Sequence, residues 1–467
     1  MSARVHDVAG IGLGPFNLGL AALLDPVGEV DAAFFEAQPT LRWHPGLMLD
    51  GAALQVPHLA DLVTLADPTS RHGFLNYLHE HERLYRFYFA ERWHPSRREY
   101  EHYCRWVAGR LASCRFGARV VDAGVGDDGL WTLTVAGADG SVTEHRSRAL
   151  VAGVGGRPYV PPCAQALVDD GDGGVLHSAA YLDHRAALRR ARRVTVIGSG
   201  QSAAEVFLDL LGHAGGTRLQ WFTRSRGFFP MEYSKLGLEH FTPEYTRYFH
   251  GLEPGRRDTL RAGQDLLYKG ISAETSAAIY DAIYDRSVGG EDPGAAYAAS
   301  CELVGIERAA GGLRLTLHQR DQDITFRHET DAVVLGTGYE STPLPISGLA
   351  ALADADERGR LRVGLDYRVA LRDPDAPALY VQNAELHTHG VGTPDLGLGA
   401  FRNSVIVNGL CGREVYKVRD RNVFQTFGAP GPGVGAPVTE SPRQGPTPVR
   451  HHPVGWKTGL GAGRGAT

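Results

Sequence analysis

The residues of this chain that could do chemistry gather in two glycine turns that end on opposite charges. The first turn is Gly10-Ile11-Gly12-Leu13-Gly14-Pro15, with the apolar run Val5-His6-Asp7-Val8-Ala9 before it and Phe16 to Leu24 after it as a helix start. Strand, glycine turn and helix together bring backbone N–H groups and the positive end of a helix up to a pyrophosphate. The next apolar run, Ala32 to Phe35, ends on Glu36, placed to accept hydrogen bonds from a ribose. The second copy opens with the strand-like Arg193 to Ile197. It turns through Gly198-Ser199-Gly200-Gln201-Ser202 and carries Glu205 early in its helix. Its closing strand, Leu219 to Thr223, ends on Arg224-Ser225-Arg226. Arginine and serine there suit a ribose 2′-phosphate, which an acid would repel. One acidic and one basic ending mean two different dinucleotides, and FAD at the first with NADPH at the second is the simple assignment. The alternative for Arg224 and Arg226 is a pair of solvated surface charges.

A chain of 467 residues, 43% hydrophobic, has to position these turns with more than one core. Its 48 basic and 53 acidic residues give a net charge of −5, which predicts neither a nucleic-acid groove nor an anionic membrane partner. No apolar run approaches the roughly 20 residues of a membrane span, and Met1 to Asp7 has no apolar signal region. Cys104, Cys114, Cys163, Cys301 and Cys411 are scattered, with no CxxC pair. That speaks against structural disulfides, a metal site and a dithiol redox centre, and makes a cytoplasmic protein the expectation. The pattern predicts an α/β fold: two Rossmann-like dinucleotide-binding domains and a small helical substrate-binding region. The first part of an FAD domain spans 1–165, an NADPH domain is inserted over 166–330, and 331–425 completes the FAD domain with a substrate-binding segment. Residues 243–299 read as helical, with tyrosines and leucines at helical spacing. Residues 426–467 are rich in proline and glycine and read as a disordered tail.

Between the turns lies an irregular, punctuated stretch, Trp43-His44-Pro45-Gly46 and Leu54-Gln55 to Asp61-Leu62-Val63-Thr64. Long ordered loops of this kind are usually functional. Late in the chain come Gly336-Thr337-Gly338-Tyr339, Asn383, His389-Gly390 and Asp395-Leu396. With Gly10 to Leu18 and Phe74-Leu75-Asn76-Tyr77-Leu78, these residues resemble the flavin-dependent N-hydroxylating monooxygenases of hydroxamate siderophore biosynthesis. The resemblance covers about residues 5–420. One departure is Gly336, where the family's ATGY signature has alanine.

The resemblance implies that NADPH reduces FAD, oxygen adds to the reduced flavin, and the neutral amine of a small substrate attacks the activated oxygen. It implies Trp43, His44 and Gln55 around the flavin, Gly338 and Tyr339 at the cofactor, and Gln55, Asp395 and Leu396 at the reacting centre. Ala60, Met231, Glu232, Asn383 and His389 fall at the substrate end. For each histidine alone, a hydrogen-bonded structural role is the plain alternative. Family members acting on ornithine or lysine commonly carry a lysine before the aspartate of the Asp61-Leu62 motif, and this chain has Ala60. Ornithine enzymes have an asparagine in the segment after the second glycine turn, where Phe229-Pro230-Met231-Glu232-Tyr233 stands here, and Met231 cannot hold an amino-acid head group by hydrogen bonds. A buried, unpaired carboxylate is costly, so the site should reject amino acids. A diamine, putrescine or cadaverine, needs neither residue, and Glu232 or Asp395 could meet its distal ammonium. A lysine or ornithine hydroxylase is the first alternative. A Baeyer–Villiger-type flavin monooxygenase is more distant, since only Gly173…His177…Tyr181 of its linker pattern is present. The family also implies a homodimer or homotetramer.

Overall fold

Val5–Ile11 has its last four residues buried, as a strand covered on both faces must. In the computed structural model, which describes residues 4–213 and 216–429, it lies inside a seven-stranded sheet. Ala32–Phe35 pairs in parallel on one side and Val142–Ala152 on the other. Cys114–Arg115 lies beyond Ala32–Phe35, and the antiparallel strands Trp131–Gly137 and Ala118–Val125 lie beyond Val142–Ala152. Ala378–Val381 joins Val142–Ala152 in parallel, which returns residues from late in the chain to the first nucleotide sheet. The helices Pro15–Leu24 and Gly399–Cys411 pack on it. Their approach is close, because a Cβ at Gly19 would meet Asn403 Nδ2 at 2.8 Å and Leu62 O at 2.9 Å.

The second sheet is fully parallel, in the order Ala295–Ala298, Arg218–Phe222, Arg193–Ile197, Ala332–Leu335, Val175–His177. An antiparallel layer, Cys301–Ala309, Gly312–Gln319 and Ile324–Thr330, packs beside it. Two expectations change here. Ala332–Leu335 lies past the expected boundary at 330, yet it pairs with Arg193–Ile197 and belongs to the second sheet. An apolar run announces a buried strand without naming its partner. Within the helical stretch, Pro243–His250, Pro254–Ala262 and Ala273–Arg286 are helices, but Ala295–Ala298 is an edge strand. Four residues with two exposed leave too little alternation to read. The expected tail falls largely on residues 430–467, which lie outside the described residues.

Two passages join the sheets. They pair with each other as an antiparallel ribbon, Gly156–Pro158 against Tyr339–Ser341. Thr337 Oγ1 also donates to Tyr159 O, and the Tyr159 N–H donates to Gly338 O at 2.9 Å.

A buried amide relay holds the first glycine turn. Asn17 Nδ2 donates to Ile11 O at 3.2 Å and Gly12 O at 2.7 Å, while Gln382 Nε2 donates to Asn17 Oδ1 at 2.8 Å. Asn17→Ala would strand the Gln382 amide and Gly12 O, each such group costing about 1–3 kcal/mol, while Ile11 O keeps the Gly153 N–H at 2.9 Å. The expected result is a loss of at least about 2 kcal/mol in urea unfolding, and an unchanged midpoint would remove the relay from the fold's stability.

Candidate active site

The first glycine turn is shaped by close approach. Gly12 has φ +81°, and a Cβ there would lie 2.5 Å from Gly153 O. A Cβ at Gly10 would collide with the buried Phe34 ring at 2.0 Å. Gly14, by contrast, faces open space at the start of Pro15–Leu24, the place a phosphate would take. Glu36 sits at the rim, its Oε2 accepting the Leu13 N–H at 2.9 Å and its Oε1 the Gln38 N–H at 2.8 Å. Those bonds fix the carboxylate and leave it lone pairs for a ribose. Behind the turn, the Arg402 guanidinium lies 4.6 Å from the Phe16 ring and 3.2 Å from Glu385. Both charges are wholly buried, and burial pushes the Glu385 carboxyl up while Arg402 pulls it down. Arg402 Nε and Nη1 and Asn403 Oδ1 are buried with no hydrogen-bond partner.

The second turn repeats the first, with Gly198 at φ +129° against Gly336 O and Gly200 facing open space. Ser199 Oγ lies 2.8 Å from Ser225 Oγ, and Arg224 and Arg226 are exposed beside them. Ser202 stands in the first turn of the helix Gln201–Leu211. The other two expected ligands from this helix are committed elsewhere. Gln201 Nε2 donates to Thr275 Oγ1 and Glu205 Oε1, both at 3.0 Å, and its Oε1 accepts the Ser272 N–H at 2.7 Å. Glu205 takes a two-pronged bond from Arg97, Nη1 to Oε2 and Nη2 to Oε1, both 2.9 Å. The Gln201 and Glu205 side chains thus have a structural role in these bonds. Arg97 opens the helix Arg97–Ala108 on the first sheet's side, so this fork joins the two nucleotide-binding halves.

Between the turns, His44 has φ 50°, with its ring centroid 5.0 Å from Trp43 and 5.8 Å from Tyr339. Loss of solvent around the ring and then the Arg97 charge lower its pKa to about 4, so it is neutral at physiological pH. Gly46 lies flat on the second half, where a Cβ would fall 1.7 Å from Ala179 O. Gly338, at φ +85°, accepts a bond from His177 Nε2 at 3.0 Å. Gln55 Nε2 is buried without a partner, a donor waiting for an acceptor.

At the substrate end, Asp61 organises its loop by accepting bonds from the Val63, Thr64 and Phe74 N–H groups and from Thr64 Oγ1. This sets the buried Ala60 beside the turn that contains Asp395, since a Cβ on Gly397 would lie 3.8 Å from the Ala60 Cβ. Asp395 Oδ1 accepts the Gly397 N–H at 2.8 Å, and burial raises its carboxyl to about 6 against those backbone bonds. Leu396 follows, half-buried, in the short turn Leu396–Leu398. Met231 is buried, with its sulfur 3.6 Å from the Tyr233 hydroxyl. Burial, then the Asp395 and Glu274 charges, push that phenol up.

Three expected residues fare differently. Glu232 is exposed and folds back on the Ser234 N–H at 2.7 Å, which takes it away from any enclosed amine. His389 is 2% exposed, stacked 4.6 Å from Tyr367, with Nδ1 2.8 Å from Thr388 Oγ1. Burial lowers its pKa well below the usual value. It is a neutral, buried histidine whose Nε2 has no hydrogen-bond partner. Asn383 takes a left-handed φ of 63° at the exit of Ala378–Val381, a conformation asparagine tolerates. The sequence reading missed Arg97, Gln382, Glu385 and Arg402. An arginine and an asparagine side by side in the small, apolar helix Gly399–Cys411 were the one available signal for this cluster.

Residues 4–341 match the family model described as L-lysine 6-monooxygenase/L-ornithine 5-monooxygenase. The chain belongs to that family. It is 49% identical to the rhizobactin siderophore biosynthesis protein RhbE of Rhizobium meliloti, over 91% of this chain and 95% of that one. It is 39% identical to a putrescine N-hydroxylase of Shewanella oneidensis, over 91% and 84%. The FAD-bound crystal structure of DfoA, a cadaverine monooxygenase of Erwinia amylovora, superposes with a TM-score of 0.87 at 40% identity, covering 91% of this chain and 99% of that one. The family's flavin-dependent N-hydroxylating chemistry thus agrees with the doubled glycine turns. Among the described residues no His, Cys, Asp and Glu group could hold a metal ion, and no helix is long and apolar enough to cross a membrane.

Arg97→Leu would leave Glu205 buried without its cation, at a cost of about 3–5 kcal/mol in unfolding free energy. The double variant Arg97→Leu, Glu205→Leu should recover most of that loss. Equal losses in the single and double variants would show that the fork carries no coupling.

Proposed function

We propose that this chain is an FAD- and NADPH-dependent monooxygenase that hydroxylates one terminal amine of a diamine, putrescine or cadaverine, for a hydroxamate siderophore. The observation that carries the reading is the charge at the substrate end. Ala60 and Met231 offer no cation or amide to an α-carboxylate, while the half-buried Asp395 carboxyl lies in the turn beside Ala60. Relatives named for putrescine and cadaverine support it.

The residues present fit both dinucleotides. Gly10, Gly12, Gly14 and Pro15 would admit the FAD pyrophosphate to a helix N-terminus, Glu36 would take its ribose, and the orphaned Gln55 Nε2 would meet a flavin acceptor. Gly198, Ser199, Gly200 and Ser202 would do the same for NADPH, with Arg224 and Ser225 on its 2′-phosphate. FAD, once reduced by NADPH, supplies the activation of oxygen. Trp43, His44 and Tyr339 would cover the flavin and exclude water. The reacting amine must be neutral, and burial favours its uncharged form. Asp395 would hold the distal ammonium, with Leu396 closing over the reacting end. The free cysteines accord with a cytoplasmic enzyme, working as a homodimer or homotetramer.

Hydroxylamine formation measured with putrescine, cadaverine, lysine and ornithine should favour the diamines, and Ala60→Lys should cut the diamine kcat/KM at least about 10-fold. A preference for lysine or ornithine overturns the reading. Asp395 is raised to about 6, so it is protonated below that pH and anionic above it. The KM for the preferred diamine should therefore fall as pH rises through about 6. Asp395→Asn should flatten that limb in steady-state profiles, and a limb that survives the substitution would remove Asp395 as the anchor.

A further inference from the structure

Behind the first glycine turn, one buried side chain touches both the cofactor end and the substrate end. Arg402, 1% exposed, belongs to the helix Gly399–Cys411. Its guanidinium carbon lies 4.6 Å from the Phe16 ring centroid and 5.4 Å from that of Tyr367. Phe16 follows Pro15 in the first turn of the helix whose N-terminus would receive the FAD pyrophosphate. The helix of Arg402 leans on this residue elsewhere too. A Cβ on Gly399 would meet the Phe16 ring at 3.1 Å, and Asn403 Nδ2 donates to Phe16 O at 3.0 Å.

The same guanidinium grips the passage that leads to Asp395. Its Nη2 donates to Thr393 O at 2.5 Å and lies 3.2 Å from Glu385 Oε1. Those contacts stand at the two ends of residues 385–393, so Arg402 closes the passage into a loop just before Pro394 and Asp395. Within the loop, Glu385 O accepts Thr388 Oγ1 at 3.0 Å and the His389 N–H at 2.9 Å. Stability alone does not call for this arrangement. A buried ion pair adds little over apolar residues of the same volume, and here Arg402 Nε and Nη1, Glu385 Oε1 and Thr393 Oγ1 have no hydrogen-bond partner. What a guanidinium supplies is a rigid plane, able to stack on a ring while its edge binds a carbonyl and a carboxylate. A movement of Phe16 is therefore shared with Thr393.

We propose that Arg402 is a positioning residue that couples the two sites, so that FAD seated on the first glycine turn fixes Phe16 and, through Arg402, orders the turn of Asp395. Coupling of this kind is reciprocal, so the bound amine tightens FAD in return. The proposal rests on the reading that Asp395 holds the ammonium of the substrate.

Release of FAD from the loaded full-length chain, followed by flavin fluorescence, gives the FAD dissociation constant with and without saturating amine. The amine is whichever of putrescine, cadaverine, lysine and ornithine the wild type hydroxylates with the highest kcat/KM. In the wild type it should tighten FAD at least about 5-fold. Arg402→Lys keeps a charge for Glu385 but not the planar fork. The double variant Arg402→Met, Glu385→Leu leaves no lone buried charge and so keeps the fold testable. In both, the tightening should fall below about 2-fold, with FAD affinity in the absence of amine near the wild-type value. The amine KM should rise at least about 10-fold with kcat held, the pattern of lost binding rather than lost chemistry. Tightening that survives in both variants, or that is missing from the wild type, overturns the proposal. So does a joint fall in kcat, FAD affinity and amine affinity, the mark of general structural damage. An unchanged amine KM in Asp395→Asn instead overturns the anchor reading, which the Arg402 comparison does not measure.

Discussion

Two charges removed from water set the working geometry of this protein. Arg97 reaches from the helix that packs on the first sheet, and Glu205 from the helix that opens the second nucleotide site. Each sheet has a core of its own, and the ribbon that joins them, Gly156–Pro158 against Tyr339–Ser341, is three residues wide. So short a ribbon defines a hinge more readily than an angle. A buried ion pair adds little net stability over an apolar pair, but it tolerates few geometries, since either charge left alone is costly. A two-pronged guanidinium–carboxylate bond fixes direction as well as distance. The fork, with Gly46 lying flat on Ala179, thus holds two separately stable halves at one separation. Electron transfer between two bound dinucleotides depends on that separation.

Both nucleotide turns were legible in the sequence because their requirements are local. Gly12 must take a positive φ beneath Gly153, and Gly14 must leave space, whatever the rest of the chain does. The sheet partners were not legible. Ala332–Leu335 was given to the wrong sheet because parallel pairing is set by a crossover and leaves no mark on the strand itself. Arg97 was hidden for a related reason. In Ser96-Arg97-Arg98-Glu99 it looks like one charge on a solvated helix face, and only the fold shows that it faces another helix. Glu205 was read as a cofactor ligand because its position in the motif was visible and its partner, 108 residues away, was not.

The substrate end shows the same divide between residue type and surroundings. Asp61 and Glu385 are buried and Asp395 is half-buried, and the compensation of these three carboxylates differs. Asp61 accepts four hydrogen bonds from its own loop. Glu385 has Arg402 at 3.2 Å. Asp395 has backbone N–H donors on one side, and the Arg402 charge reaches it only weakly, so burial prevails and its carboxyl rises to about 6. Of the three it alone lacks a full counterweight from the protein, so its anion gains most from a cation brought in by a ligand. A diamine needs opposite conditions at its two ends, a charged ammonium held by an anion and a neutral amine free to react. In the proposed reading, the half-buried acid Asp395 beside the uncharged Ala60 would meet both. An amino acid would set its carboxylate against Asp395 with Ala60 unable to offset it. Alanine at position 60 and an acid at 395 would thus form a single electrostatic arrangement suited to a diamine.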